Sequence, residues 1–288
     1  MIAMEFSAIS LEPVGRCPLC KVSERSLFER EAIPPKEIQL MRCDECDFIY
    51  TSAVVRADHI PRLYQAYNVT RDFERPDMRE KRTLMYEIDG AYVRRFLGAN
   101  DERLLDIGSG AGDFIAQFRG DFELHCVEAD AAARAACVRA CSSLLPYPDL
   151  KTIPHDIVFD AIVFRGTLQY MPDLHGVAAW CSDHLPAGGH LFVLATPNAE
   201  SILAQLQRER WVLANKLEHR YWFTRRHLVQ LFGDRFHLIA CDFPYLGTPY
   251  ENYSHDLRKV LAMIESPKAR LEGVPFFGSM MNLVLEKI

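Results

Sequence analysis

A glycine-rich turn between an apolar run and a helix-like segment constrains the fold of this chain more than any other feature. Residues 103–107 read RLLDI, residues 108–112 read GSGAG, and residues 113–118 continue as DFIAQF. This order predicts a short buried strand, a tight turn and the opening of a helix. Glycine permits both the turn and the close approach of a ligand to the backbone. The segment is therefore expected to begin a doubly wound α/β sheet with a nucleotide-like ligand at its first turn.

Two acidic residues narrow the choice of ligand. Asp106 lies at the end of the first predicted strand, where a carboxylate suits a ligand with a positive ammonium group and would repel a pyrophosphate. This favours S-adenosylmethionine (SAM) over NAD. Glu128 follows a second predicted strand, 122–127, about twenty residues after the glycines. An acid there can accept hydrogen bonds from both ribose hydroxyls, which fits SAM and NAD equally.

Further apolar runs predict the remaining strands of the sheet. They span residues 159–164, 190–195, 236–243 and 280–285. The last two should pair antiparallel, because a short link with glycine and proline precedes the final one. A helix of unassigned role is expected over 254–265. The predicted architecture is α/β, with a doubly wound sheet after residue 101.

A helical segment precedes this sheet. Leu84, Ile88, Tyr92 and Phe96 recur every four residues, with Met85 and Leu97 beside them, which predicts a helix with one apolar face packed against the first strand. The length of 288 residues suits one catalytic domain plus a small appendage. We therefore expect three parts, an N-terminal module over 1–60, a helical linker or cover over 61–100 and a catalytic domain over 101–288, with a lid insert at about 200–230.

The N-terminal module carries two CxxC pairs, Cys17 with Cys20 and Cys43 with Cys46, separated by 22 residues. Each pair places two thiolates at a distance that tetrahedral Zn²⁺ accepts, so the four together predict a closed, structural zinc site. Four free thiols would leave the repeated spacing unexplained, and neither pair opens a helix as a redox CxxC does. The N-terminal residues show no export signal, so we expect a reducing, cytoplasmic location and metal binding rather than disulfides.

The motifs together resemble a known family. In order and spacing, LLDIGSGAGDF, VEAD, FDAIVFRGTLQYMPD and LPAGGHLFVLATPN look like the successive motifs of class I SAM-dependent methyltransferases over roughly residues 100–245. RCDECDFIYTSAVV also resembles the zinc-ribbon leader of a subgroup that acts in sugar, polysaccharide or natural-product pathways. The resemblance implies a seven-stranded Rossmann-like sheet with a small N-terminal zinc-binding module, and a biosynthetic methyltransferase.

The resemblance also implies a SAM site. Its cofactor-binding residues would be Asp106, Gly108, Ser109 and Gly110 at the amino-acid end, Glu128 at the ribose, Asp149 and Leu150 at the adenine, and Arg165 beside the sulfonium. The chain has Tyr170 where the family commonly has a histidine. Asp149 stands in a proline-rich stretch.

The insert 205–230 is the candidate acceptor-binding region. It holds six lysines or arginines against two acids, with aromatic residues between them. This pattern fits either a lid helix with a solvated basic face or a surface that binds an anionic, phosphorylated or nucleotide-linked small molecule. Glu218, His219 and the following residues resemble the EHxxYFS segment of nucleotide-sugar C-methyltransferases. We expect His219 to act as general base with help from Glu218, and Tyr170 is the second candidate. A structural histidine on a lid is the alternative.

Other functions compete with methylation of a small molecule. An RNA base methyltransferase is disfavoured, because residues 1–60 carry seven basic against ten acidic side chains and the whole chain has a formal net charge of −6. A non-catalytic SAM-binding scaffold and an NAD-dependent oxidoreductase are two further alternatives. No apolar run is long enough to span a membrane.

Overall fold

A computed structural model describes residues 9–28, 38–60, 63, 76–99, 102–207, 219–266 and 277–288. Residues 208–218, which include Glu218 and part of the basic insert, lie outside the described residues. None of the helices in these ranges combines the length and the apolar character that a membrane crossing requires.

The N-terminal module is built from short strands around the two cysteine pairs. Its strands are β1 (Leu11–Pro13), β2 (Arg25–Leu27), β3 (Leu40–Cys43), β4 (Ile49–Thr51) and β5 (Ala53–Val55). Strand β3 pairs antiparallel with both β2 and β4, and β1 pairs antiparallel with β5. Of the second cysteine pair, Cys43 thus ends β3 and Cys46 lies in the connection from β3 to β4.

The catalytic domain alternates strands with helices, as a doubly wound sheet requires. After helix α1 (Pro76–Arg94), its elements are β6 (Arg103–Ile107), β7 (Glu123–Val127), α2 (Ala131–Ala140), β8 (Leu145–Tyr147), β9 (Ala161–Arg165), α3 (Leu174–Asp183), β10 (His190–Pro197), α4 (Ile202–Gln207), β11 (Tyr221–Trp222), α5 (Arg225–Phe232), β12 (Phe236–Asp242), α6 (Tyr253–Glu265) and β13 (Met280–Lys287).

Seven of these strands form one mixed sheet in the order β12-β13-β10-β9-β6-β7-β8. Strands β6 to β10 run parallel, and β13 is antiparallel to both β10 and β12. This confirms the predicted seven-stranded α/β sheet and the antiparallel closing pair. The strand order reverses at β6: β7 and β8 lie on one side of it, and β9 and β10 lie on the other. A crevice is therefore expected beyond the carboxyl ends of β6 and β9.

Two local predictions differ from the structure. The segment after the glycine turn forms a 3₁₀ helix, Ile115–Phe118, rather than an α-helix, because the chain must return to the sheet at Glu123 within a few residues. Strand β8 was not predicted, since Pro146 lies in its middle; the strand is at the sheet edge, where a missing N–H is tolerated.

The buried face of α1 also differs from the prediction. The helix exists and Met85, beside the predicted face, is buried, but Leu84 and Ile88 are 42% and 36% exposed, whereas Asp89 and Val93 are buried. The helix is rotated by about one residue from the orientation that its apolar periodicity indicates. The rotation turns the acidic side chain of Asp89 inward, and that side chain has a buried partner described below.

The N-terminal module and the catalytic domain share one hydrophobic core. Phe48 and Tyr50 of the module are fully buried and belong to the same cluster as Leu105, Phe164 and Phe223 of the catalytic domain. In addition, β11 pairs antiparallel with β4, so the module's sheet has the order β11-β4-β3-β2. The module is therefore joined to the catalytic domain by backbone hydrogen bonds as well as by apolar packing.

Candidate active site

A cleft of about 950 Å³ opens at the carboxyl ends of β6 and β9. Its lining includes Asp106, Gly108, Ser109, Gly110, Glu128, Asp149, Leu150, Arg165, Tyr170 and His219. The structure thus brings together every described residue that was predicted from the sequence to bind SAM or to take part in catalysis. The volume suits a cleft for small molecules.

The glycine turn is built so that the cleft floor stays open. Gly108 has φ +82°, and a Cβ atom there would lie 2.4 Å from Cγ2 of Thr167. The Thr167 hydroxyl donates a hydrogen bond of 2.6 Å to the Ile107 carbonyl, which fixes the segment after β9 against the end of β6. Gly112 has φ +87°, and a Cβ there would lie 3.0 Å from Cα of Cys137. Both positions therefore require glycine, for conformation and for space.

Asp106 is a buried carboxyl group that lacks a directly paired cation among the described residues. Its side chain is 2% exposed, and it accepts a hydrogen bond of 2.6 Å from the Ser109 hydroxyl. Burial raises the pKa of Asp106 to about 6; the charge of Glu128 acts in the same direction, whereas Ser109 and the more distant Arg165 oppose the shift. A positive group bound in the cleft would compensate this buried charge.

The raised pKa of Asp106 predicts pH-dependent ligand binding. Above about pH 6 the carboxylate is ionised and can attract an ammonium group, whereas below this pH it is protonated and neutral. We expect the dissociation constant of S-adenosylhomocysteine (SAH) to rise by about tenfold for each pH unit below pH 6. Calorimetric titration between about pH 5 and pH 8 measures this. A dissociation constant that stays flat over that range would contradict the role of Asp106.

Glu128 holds the glycine turn against the tip of β7. One carboxylate oxygen accepts a hydrogen bond of 2.8 Å from the Gly110 N–H, and the other accepts one of 2.8 Å from the Asp130 N–H. Each carboxylate oxygen has two acceptor positions, so Glu128 can position the turn and still accept hydrogen bonds from hydroxyls in the cleft.

Asp149 and Leu150 form the edge of the cleft beyond β8. The Asp149 side chain accepts a hydrogen bond of 3.0 Å from the Thr152 N–H and caps a 3₁₀ helix, Leu150–Thr152. Oδ1 of this carboxylate is therefore already hydrogen-bonded to the local backbone. Trp180 of α3 also lines this end of the cleft, although no sequence pattern pointed to it.

Arg165 is held under the cleft by a buried acid that sequence reasoning missed. The Nε and Nη2 atoms of Arg165 both lie 2.7 Å from the same oxygen of Asp89 in α1. The guanidinium carbon lies 4.3 Å from the ring centre of Tyr86 and 5.6 Å from that of Phe114. Burial raises the pKa of Asp89, and the charge of Arg165 opposes this. The network fixes Arg165 as part of the floor.

His219 lies against the far wall of the cleft. Its side chain is 1% exposed, and its Nε2–H donates a hydrogen bond of 2.8 Å to the Tyr221 carbonyl. The imidazole stacks on Trp222 with ring centres 4.5 Å apart and meets the edge of Tyr170 at 5.7 Å. These contacts fix the ring orientation, and the bond to a carbonyl selects the tautomer that is protonated at Nε2.

The four N-terminal cysteines form a separate cluster. Their sulfur atoms all lie within 4.8 Å of one another. The Sγ atoms of Cys17 and Cys46 are 3.7 Å apart, and those of Cys20 and Cys43 are 3.4 Å apart. The sulfur atoms of a tetrahedral zinc–thiolate site are separated by roughly 3.8 Å. The cluster therefore has the composition and the spacing of a closed metal site.

The sheet order, the glycine turn with its buried acid and the acid at the tip of β7 define a class I SAM-dependent methyltransferase. A family model described as "Methyltransferase domain" matches residues 78–235, and the chain belongs to that family. No curated protein sequence matches the chain significantly.

Solved structures with the same fold are distant in sequence. One is a complex between the Haloferax volcanii Trm112 methyltransferase activator and a methyltransferase; it is 13% identical, covers 73% of this chain and 92% of that chain, and has a TM-score of 0.54. The plantazolicin methyltransferase BpumL, solved with a desmethyl analogue and SAH, is 15% identical, with 77% and 91% covered and a TM-score of 0.52. A SAM-dependent methyltransferase of Thermotoga maritima, described as a possible histamine N-methyltransferase, is 16% identical, with 70% and 89% covered and a TM-score of 0.50. At these identities the similarity shows the fold.

Proposed function

We propose that this enzyme transfers a methyl group from SAM to a small-molecule acceptor of the sugar, nucleotide-linked or natural-product class, with His219 as general base. Because SAM, when bound, supplies an already activated methyl group, the protein mainly has to align the acceptor and remove its proton. The observation that carries the proposal is the position and tautomer of His219 in the same cleft as Asp106 and the glycine turn.

Asp106, Gly108 to Gly110 and Glu128 are proposed to hold SAM. Asp106 offers a buried negative charge to the ammonium group, and Glu128 offers acceptor positions to the ribose hydroxyls. Asp149 and Leu150 would meet the adenine at the opposite edge of the cleft, and Arg165 would form the floor beside the sulfonium. This arrangement follows the carboxyl ends of β6, β7, β8 and β9 in order.

The acceptor is proposed to occupy the other half of the cleft. That half is lined by residues that follow or begin strands β10, β12 and β13, namely Pro197, Pro244, Tyr250 and Met280. A cleft of about 950 Å³ that also receives SAM leaves room for a small acceptor.

His219 is proposed to remove the acceptor proton through Nδ1. Because its Nε2–H is donated to the Tyr221 carbonyl, Nδ1 carries the lone pair that a base needs. The contact with Trp222 holds the ring in a fixed plane. Glu218 was expected to assist and lies outside the described residues. Tyr170 meets the imidazole edge and is the second candidate.

The cysteine cluster is proposed to bind one structural Zn²⁺. Its four thiolates would complete the tetrahedral shell and leave no open position for catalysis. Metal analysis of the purified protein should find one zinc per chain, and substitution of Cys43 by serine should lower that content.

His219→Ala is expected to lower turnover by about 100-fold and to leave the SAH dissociation constant within about threefold, because the base acts on the acceptor and not on SAM. Transfer from radiolabelled SAM to a panel of sugar nucleotides, sugar phosphates and hydroxylated natural-product intermediates measures turnover. Tyr170→Phe is the matched variant. Full activity of His219→Ala with loss in Tyr170→Phe would assign the base to Tyr170, and a lack of transfer to every acceptor would favour a SAM-binding scaffold.

A further inference from the structure

We propose that the N-terminal zinc module holds His219 in its catalytic position, so that metal binding by the four cysteines controls the acceptor half of the cleft. The inference rests on the proposed function of His219. It concerns the contacts that the second cysteine pair and the following β4 make with β11 and the start of α5. These contacts connect the cysteine cluster to His219 in four steps.

The first step is at the second cysteine pair. The carbonyl of Cys46 accepts hydrogen bonds from Nη2 of Arg226 at 2.8 Å and from Nε2 of His227 at 3.0 Å, both in α5. The other ring nitrogen of His227 accepts a hydrogen bond of 3.2 Å from the Thr224 N–H at the start of α5. A metal that fixes the Cys43–Cys46 turn therefore also fixes the beginning of this helix.

The second step is the backbone pairing of the two strands that follow these segments. Strand β11 pairs with β4 through Tyr221 opposite Tyr50 and Trp222 opposite Ile49. The Thr51 N–H adds a hydrogen bond of 3.0 Å to the Arg220 carbonyl. A two-residue strand is too short to be stable by itself, so β11 depends on β4 for its position.

The third step is an aromatic cluster centred on Phe48, which lies two residues after Cys46. Its ring centre lies 5.8 Å from that of Tyr221, 5.4 Å from that of Phe223 and 5.0 Å from that of His227. Phe48 is fully buried. If the Cys43–Cys46 turn moved, Phe48 would move with it. The packing of Tyr221 in β11 and of Phe223 directly after β11 would then change.

The fourth step joins β11 to the base. His219 donates to the Tyr221 carbonyl at 2.8 Å and stacks on Trp222 at 4.5 Å, so both of these contacts are with β11. The next N–H, of Arg220, donates to the Gln169 carbonyl at 3.1 Å and sets the distance to the segment after β9. The imidazole is thus positioned by a strand that belongs to the module's sheet.

The SAM half of the cleft is held differently. The hydrogen bonds that shape the glycine turn join residues 106–167 to one another: Ser109 to Asp106, Gly110 to Glu128, Gly108 to Val127 and Thr167 to Ile107. None of these four bonds involves the N-terminal module. Loss of the metal should therefore disturb His219 more than the SAM site.

Hydrogen exchange of the zinc-loaded protein before and after removal of the metal by a chelator tests this coupling. We expect amides 219–224 to exchange at least about tenfold faster without zinc. Amides 104–112 should change by less than about twofold, and the SAH dissociation constant by less than about threefold. Unchanged protection of 219–224 would overturn the proposal. Equal loss of protection in both segments would also overturn it, because the module would then support the whole fold.

Two variants make the test independent of complete metal removal. His227→Ala, which removes a link to Cys46 and no metal ligand, should retain one zinc per chain and reproduce the faster exchange of 219–224. Arg42→Ala, at an exposed ion pair with Asp47 on the same turn, should leave exchange unchanged. Exchange is measured without SAM or acceptor, so it tests the coupling independently of the proposed function. Failure of SAH to bind, or full activity of His219→Ala, would reject the proposed function instead.

Discussion

Replacing Asp106 with asparagine is expected to weaken SAH binding by at least about 100-fold while the fold is retained. The Asp106 side chain is buried and accepts a hydrogen bond from the Ser109 hydroxyl. Asparagine keeps the size and an acceptor oxygen for this bond, so the substitution removes the negative charge that we expect to pair with the ammonium group of the ligand. Calorimetric titration of the purified variant with SAH measures the loss.

The stability of the ligand-free variant is the control for this prediction. Burial raises the pKa of Asp106 from 3.8 to about 6, so the folded state binds this proton more tightly than the unfolded state does. The resulting contribution to stability is full below pH 3.8 and is lost as the pH rises through about 6. A neutral asparagine avoids the buried charge, and the variant should melt no lower than the parent at neutral pH. Unchanged SAH affinity in a folded variant would refute the pairing.

The glycine turn and its acids were predictable because their signals are local. A run of apolar residues, three glycines at alternate positions and an acid at the strand end all lie within residues 103–112. The cap of α5 is local as well, because the Thr224 side chain accepts a hydrogen bond from the His227 N–H three residues later. Local conformation and the place of a turn in a doubly wound sheet follow from the residues themselves.

The partner of Arg165 was not predictable, because it depends on contacts that are distant in sequence. Asp89 is 76 residues from Arg165 and 193 residues from Asn282, whose side chain also reaches its carboxylate. In the sequence, Asp89 stands on a helix where apolar periodicity favours a different buried face. In the structure the helix instead turns Asp89 inward, where its carboxylate pairs with Arg165.

The sheet that the module shares with the catalytic domain was not predictable from the sequence for another reason. Tyr221 and Trp222 form a strand of two residues, which is too short to show a periodic pattern. In the sequence, the aromatic residues of this segment are part of a pattern that fits a surface for an anionic or nucleotide-linked small molecule. In the structure Tyr221, Trp222 and Phe223 are all buried, two of them against Phe48. Their aromatic character serves packing between the two parts of the chain.

Asp89→Ala is expected to destabilise the protein by roughly 3–5 kcal/mol, because it leaves the Arg165 guanidinium without its partner in a largely buried site. Asp89 is 1% exposed, and one of its oxygens lies 2.7 Å from two nitrogens of Arg165. For a domain of this size we expect a fall in melting temperature of roughly 10 °C. Thermal unfolding followed by circular dichroism measures it.

Two further variants separate the buried pair from an ordinary ion pair. Asp121→Ala breaks the ion pair between Asp121 and Arg94, whose side chains are 50% and 39% exposed respectively. This should lower the free energy of unfolding by less than about 1 kcal/mol. Asp89→Ala combined with Arg165→Met removes both buried charges and should recover much of the lost stability. If Asp89→Ala costs no more than Asp121→Ala, the pair does not anchor α1 to the cleft floor. Recovery in the double variant without recovery of SAH affinity would indicate that Arg165 also contributes to the SAM site.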